Sequence, residues 1–261
     1  RYDVTSSKTF SRLSDATIAD QDDEELTSRA GIVYLFDNGV APYAGYAESF
    51  LPSAGTDAEG NAFEPETARQ YEVGVKYEPP GFDGIFTLAL FDIQRDNFVG
   101  RDPDFVDFQT GRALSRGVEV EAFATLDNGL SVIANYNYLE TDIEDHPNPD
   151  LVGKSAPQIP EHKASVWLDY DVQRGTLAGL GLGVGVRYQS STYSDDLNTI
   201  KNPGVTLFDA AVYYQWDAYK LSVNVQNLED DEHTAACFQR SSLLCSFGEG
   251  RSIRGTLKVR W

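Results

Sequence analysis

Short and long connections alternate without exception along this chain, and that regularity restricts its fold more than any single motif does. Turn residues divide it into twelve expected strands near 1–5, 27–36, 41–50, 67–78, 84–98, 113–126, 129–142, 160–173, 180–193, 204–216, 218–228 and 250–261. No helix is expected between them. Short links fall at Asp37-Asn-Gly, Pro79-Pro-Gly, Asp127-Asn-Gly, Arg174-Gly and Asp217-Ala, where Asn and Gly tolerate the positive φ of tight hairpins. The others, near 6–26, 51–66, 99–112, 143–159, 194–203 and 229–249, are long. An up-and-down antiparallel sheet then places every short turn on one rim and every long loop on the other, the asymmetry of a transmembrane β-barrel.

The strands are two-faced. Tyr71, Val73, Val75 and Tyr77 alternate with Glu72, Gly74 and Lys76, and Leu182, Val184, Val186 and Tyr188 with Gly183, Gly185, Arg187 and Gln189. Leu221, Val223 and Val225 alternate with polar residues in the same way. In the last segment Ile253, Gly255, Leu257, Val259 and Trp261 share one face, while Arg254, Thr256, Lys258 and Arg260 share the other. Polar faces so regular are costly in a dry core but suit a wet lumen, with the apolar faces toward lipid. Aromatic residues near strand ends (Tyr77, Tyr138, Tyr188, Tyr193, Trp216 and Trp261) fit interfacial girdles. Segment 84–98 departs from the rule. Ile85, Ala89, Phe91 and Ile93 give it a second apolar face, which predicts packing against something inside the barrel.

A net charge of −20 removes nucleic acid from the partners, because that function needs a basic footprint. The chain contains no methionine and no readable signal peptide, so it is expected to be the C-terminal piece of a longer protein. Two cysteines, Cys237 and Cys245, lie close in one expected loop. Their small even count at short spacing favours a local disulfide in an oxidising compartment, with two free thiols as the alternative.

Four stretches resemble TonB-dependent outer-membrane receptors, in particular the ferrichrome-type hydroxamate siderophore receptors. They are Phe63-Glu-Pro-Glu through Tyr71-Glu-Val-Gly-Val-Lys-Tyr77, Ser115-Arg-Gly-Val-Glu-Val-Glu121, and Gly185-Val-Arg-Tyr with Asn198, Pro203 and Phe208-Asp209. The fourth combines Asn224-Val-Gln-Asn-Leu228, the cysteine pair, Phe247-Gly248 and Gly250-Arg251. The resemblance implies an all-β fold: a barrel of about 22 strands with an N-terminal plug, of which residues 1–261 supply roughly the last half. It also implies uptake of a ferric siderophore energised through the plug by the TonB–ExbB–ExbD complex, and residence in outer-membrane lipid and lipopolysaccharide. The terminal Trp261 would be the signal read by the barrel-assembly machinery.

In that family a disulfide-tied outer loop sets an aromatic toward the ligand chamber, and Phe238 matches the position. Phe247, Tyr193 and Arg251 complete the candidate ligand contacts. For Phe238, packing on its own loop is an equally open reading. Arg187, Arg251, Arg254, Lys258 and Arg260 are candidate lumen residues that either attract an anion or pair with acidic neighbours. Acidic runs at 20–25 and 229–232 either bridge divalent cations to lipopolysaccharide or are solvated charge. The histidines His146, His162 and His233 form no metal-binding spacing, so no protein-held cofactor is expected and iron would arrive inside the ligand. Two other classes stand beside the receptor reading. One is a passive or adhesive barrel complete in twelve strands. The other is a barrel hydrolase, in which Ser6, Ser7 or Ser241 would have to meet a histidine; no spacing supports it.

Overall fold

The computed structural model describes residues 1–12, 15–57, 60–101, 107–109, 111–239 and 243–260. In chain order its strands are β1 (Tyr2–Ser11), β2 (Ala16–Leu26), β3 (Arg29–Val33), β4 (Val40–Leu51), β5 (Glu66–Tyr77), β6 (Asp83–Asp96), β7 (Val99–Arg101), β8 (Asp107–Gln109), β9 (Arg112–Thr125) and β10 (Leu130–Asp145). A short 3-10 turn at Pro149–Leu151 precedes β11 (His162–Asp171), β12 (Leu180–Gln189), β13 (Thr192–Tyr193), β14 (Lys201–Asn202), β15 (Val205–Trp216), β16 (Tyr219–Gln226), β17 (Thr234–Gln239), β18 (Leu243–Phe247) and β19 (Ser252–Val259). Eleven strands form one antiparallel sheet in the order β19-β16-β15-β12-β11-β10-β9-β6-β5-β4-β3. It is open: among the described residues, its edge strands β3 and β19 do not pair with each other.

The alternation of connections holds, and the long ones are structured. The hairpins β7–β8, β13–β14 and β17–β18 each sit within one of them. The expected strand at 1–5 is not part of the wall. It belongs to β1, which pairs with β2 in a separate hairpin across what read as a loop at 6–26. The run Asp20-Gln-Asp-Asp-Glu-Glu25 has poor strand propensity. Cross-strand partners hold it extended, Lys8 Nζ to Asp20 at 2.9 Å and the Tyr2 hydroxyl to Glu24.

Two of the short turns use one device. In Asp37-Asn-Gly and Asp127-Asn-Gly the glycines have φ of 85° and 91°, and the Asn side-chain oxygens accept from the N–H of Val40 and Leu130. A Cβ at Gly39 would stand 1.8 Å from the Glu78 carbonyl oxygen, and one at Gly129 2.3 Å from that of Asp171. Only glycine fits either place.

Register turns the alternation into continuous rows. Ala124, Val132, Leu168, Val184, Ala210, Val225 and Ile253 are successive cross-strand neighbours over seven strands. This face stays bare: Val184 is 56% and Ile253 67% exposed. A contiguous apolar belt of this extent is a lipid-facing surface, not that of a water-soluble monomer. Aromatic side chains bound it near the short-turn rim. Tyr214, Trp216 and Tyr219 stack with centroids 5.6 Å apart, and Phe86 stacks between Tyr77 and Phe82. From Tyr71 to Tyr77 along β5 the belt is about 20 Å deep at the strand rise of roughly 3.3 Å per residue.

The other face is polar with inlaid aromatics, each lying flat over a glycine on a neighbouring strand. Tyr43 covers Gly74, Phe91 covers Gly117, Trp167 covers Gly183 and Gly185, and Tyr213 covers Gly181. A Cβ at any of these glycines would come within 2.0–2.6 Å of the ring. The second apolar face expected of segment 84–98 is thus partly absorbed along the wall, where Phe91 seats on Gly117. The Tyr213 hydroxyl then reaches sideways to Asp169 and Asp171, at 2.6 and 2.8 Å, with Lys220 Nζ 3.7 Å above the ring centre.

Replacing Gly183 and Gly185 together by alanine is expected to lift Trp167 off the wall. The protein purified in detergent should then lose about 1–3 kcal/mol of stability through overpacking and show red-shifted tryptophan emission. Unchanged emission and an unchanged denaturation midpoint would mean that the ring does not need those seats.

Candidate ligand chamber beneath the outer loops

Two adjacent inner-face rows build the floor of a chamber. One runs Glu121, Asn135, Ser165, Arg187 and Leu207, and the next Glu119, Asn137, Lys163, Gln189 and Val205, over β9, β10, β11, β12 and β15. They line a cavity of about 520 Å³ whose roof includes His233 and Ala235 from the connection between β16 and β19. Within the floor Asn137 donates to Glu119 at 3.0 Å and Asn135 to Ser165 at 3.3 Å. Arg187 grips Asp209 with two bonds of 2.6 and 2.9 Å, a bidentate pair that fixes the guanidinium in plane. The pairing expected for Arg187 is therefore what the fold contains. Arg187 and Asp209 satisfy one another, and Glu119 accepts from Asn137, so the floor presents fixed polar groups of both signs to the cavity.

Roof and floor meet at Asn227, which is 2% exposed and has φ of 52°. Its side-chain amide donates to the carbonyls of Asp231 and Glu249, its oxygen accepts from the Asp231 N–H, and its own N–H donates to Asp209. One residue of the Asn224–Leu228 motif thus ties both ends of the roof to the floor's ion pair. Gly248 leaves room for the His233 ring, since a Cβ there would lie 2.0 Å from it.

Cys237 and Cys245 are disulfide-bonded and directly opposite in the β17–β18 hairpin. This closes the alternative of two free thiols. Phe238 follows Cys237 and pairs in register with Leu244; its side chain lies outside the described part. Phe247 sits opposite Thr234 and is 81% exposed. Arg251 is bound to the roof, its N–H donating to Asp230 at 2.7 Å and its guanidinium 3.6 Å from the same carboxylate. Tyr193 lies in the β13–β14 hairpin with Lys201 Nζ 5.6 Å over its ring. These groups stand in the outer loops, and none of Tyr193, Phe247 and Arg251 lines the cavity. Trp261 lies outside the described residues. Sequence reasoning passed over the floor residues Glu119, Glu121, Lys163 and Asn137. Glu119 and Glu121 stood in a recognised motif, but only the register shows that they share rows with Lys163 and Arg187.

The connection between β12 and β15 carries an ordered turn. Burial opposes ionisation of Asp195, but donors from the Ile200 N–H and from the Thr199 N–H and hydroxyl outweigh it and hold the carboxyl below its usual range. Asp196 beside it is pushed up by partial burial and then by Asp195. Asn198, at φ 59°, exchanges bonds of 2.8 and 2.9 Å with the Ser155 backbone and so joins two outer loops.

Comparison with known proteins fits this architecture. Residues 1–228 match the family described as "TonB dependent receptor-like, beta-barrel". The chain belongs to the TonB-dependent receptor β-barrel family. It is 40% identical over 268 aligned residues to the ferrioxamine B receptor of Salmonella typhimurium, and 37% identical to the ferrichrome outer membrane transporter/phage receptor of Escherichia coli. Both alignments cover the whole of this chain but only 37% and 35% of those proteins, so the chain spans little more than a third of their length. Among solved structures, the siderophore receptor PiuA of Acinetobacter baumannii superposes with a TM-score of 0.82 at 23% identity, over 97% of this chain and 38% of that one. The bare belt is accordingly the lipid face of an outer-membrane receptor barrel, and the chamber lies on its lumen side.

The two carboxylates of the β12–β15 turn predict opposite behaviour. The lowered pKa of Asp195 contributes stability that is present above its unfolded value and lost as pH falls through the folded one. The raised pKa of Asp196 works the other way, favouring the fold at low pH and losing that contribution as pH rises through its folded value. At neutral pH, Asp195→Asn should speed hydrogen exchange at the Ser155, Thr199 and Ile200 amides of the receptor, and Asp196→Asn should slow it. Equal exchange in both variants would sink the assignment.

Proposed function

We propose that this chain is the C-terminal part of the barrel of a TonB-energised outer-membrane receptor that takes up ferric siderophores, of the hydroxamate class. The observation that carries the reading is whole-chain identity of 40% and 37% to receptors named for ferrioxamine B and ferrichrome, both hydroxamates. Charge supports the same choice. Three hydroxamates neutralise ferric iron, whereas three catecholates leave a strongly anionic complex, which a chain of net charge −20 disfavours. Iron enters already coordinated, so the barrel supplies shape and hydrogen bonds, and the reading involves transport without catalysis. Phe238, Phe247, Tyr193 and Arg251 act as contacts at the mouth, while the two floor rows that carry Glu119, Lys163 and Arg187 form the wall beyond them. Energy reaches the ligand through a plug and the TonB–ExbB–ExbD complex. Lipopolysaccharide surrounds the rim, and Trp261 presents the assembly signal.

The test is ligand-induced tryptophan quenching by the full-length receptor in detergent, with ferrichrome, a ferric catecholate and cobalamin as alternatives. Saturable quenching by the hydroxamate complex is expected, weakened about tenfold or more by Phe238→Ala, as for an aromatic anchor. Binding of the catecholate or cobalamin in its place would overturn the substrate class.

A further inference from the structure

Arg187 stands on the chamber floor with more donors than its protein partner uses. A guanidinium carries five N–H groups, and the two bonds to Asp209 engage the Nε–H and one N–H on Nη2. Among the described residues no other side chain or carbonyl accepts from it, and the side chain is 48% exposed and lines the cavity. Three N–H groups thus remain for a guest. Gln189 lies two residues further along the same face of β12, and Lys163 on β11 is its direct cross-strand neighbour. Both line the same cavity, and among the described residues neither side chain makes a hydrogen bond or ion pair. The β11–β12 side of the floor is therefore rich in available donors.

Its net charge is small all the same. Asp209 is only 11% exposed, and its carboxylate accepts both bonds from Arg187 and a third, of 3.0 Å, from the Asn227 N–H. The charges of Arg187 and Asp209 cancel, and among the remaining charges of the floor Glu119 and Glu121 outnumber Lys163. An anion meets no net attraction here, whereas a neutral guest with several exposed oxygens meets directed donors. The direction comes from groups outside the cavity lining. Asp209 clamps one edge of the guanidinium. Asn227 holds Asp209 through its N–H, and is itself held through its side chain by Asp231 and Glu249. A lysine would not keep this geometry, because an ammonium lacks the planar fork.

We propose that Arg187 is a specificity-determining donor of the chamber, selecting a neutral ferric complex through its ligand oxygens, and that Asp209 and Asn227 are its positioning residues. The ligand class rests on the siderophore reading; the positioning of the guanidinium does not.

The test measures binding of a neutral ferric trihydroxamate and an anionic ferric tricatecholate by the full-length receptor in detergent. Arg187→Lys keeps the charge and loses the fork. It should bind the trihydroxamate about tenfold less tightly, the scale of a hydrogen bond to a charged group. Asp209→Asn removes the cancelling charge, so it should weaken the trihydroxamate and strengthen the tricatecholate, a change of preference that loss of structure would not produce. Unchanged trihydroxamate binding in Arg187→Lys, or equal loss of both complexes in Asp209→Asn, overturns the ligand role. A second arm needs no ligand. NMR of the receptor with isotope-labelled arginine follows the Arg187 Nε–H, identified by its absence from Arg187→Lys. That proton should exchange slowly in the native receptor and faster in Asn227→Gly, where glycine accepts the φ of 52° and only the side chain is lost. Equal exchange in the two overturns the positioning role. A native receptor that binds neither complex would refute the siderophore reading and the ligand role with it, while the NMR arm still decides the positioning.

Discussion

Everything in this molecule depends on the antiparallel backbone ladder between strands. Inside a bilayer no water is available to satisfy an exposed N–H or C=O, so each strand must pair with its neighbours along the membrane-crossing length. That pairing fixes register, and register decides which side chains share a level. Val184 on one face and Gly183 and Arg187 on the other owe their surroundings to the same set of bonds between β11, β12 and β15. A slip of one residue would carry Arg187 into lipid and Val184 into the lumen.

The inner face uses glycine for a purpose that polarity alone does not explain. A wall lined only with charged and amide groups would be rough and well hydrated. Setting Trp167 over Gly183 and Gly185, and Tyr213 over Gly181, keeps large rings against the backbone and leaves the lumen open above them. The rings screen the ladder from water, while Asp169 and Asp171 gain a donor in the Tyr213 hydroxyl. Aromatic area thus contributes to wall stability without narrowing the passage.

Most of the wall was legible because period-2 alternation is a local signal, clear in β5, β12, β16 and β19. The asymmetry of the connections was legible too, since Asn-Gly turns advertise themselves. The hairpin β1–β2 was not. Its acidic run reads as loop, and only the cross-strand partners Lys8 and Tyr2 reveal a strand. Gly181, Gly183 and Gly185 read as filler on a polar face, because their use depends on rings one strand away on either side. The chamber was half legible. Arg187 was singled out and the family motifs contain Glu119, Glu121 and Asp209, but their meeting is a matter of register over several strands. The emphasis on Phe247 and Arg251 came from a loop whose cysteines were visible and whose packing was not; in the fold Arg251 is engaged with Asp230.

Asn227 has a consequence of its own. It touches the roof at Asp231 and Glu249 and the floor at Asp209, and Asp209 in turn orients Arg187. A displacement of the outer loop is thereby converted, over three consecutive bonds, into a change in where a positive charge points inside the passage. The residue works as a tie-rod between lid and basin. Its loss would uncouple the roof from the floor and take one donor from Asp209, although the residue forms no part of the chamber lining.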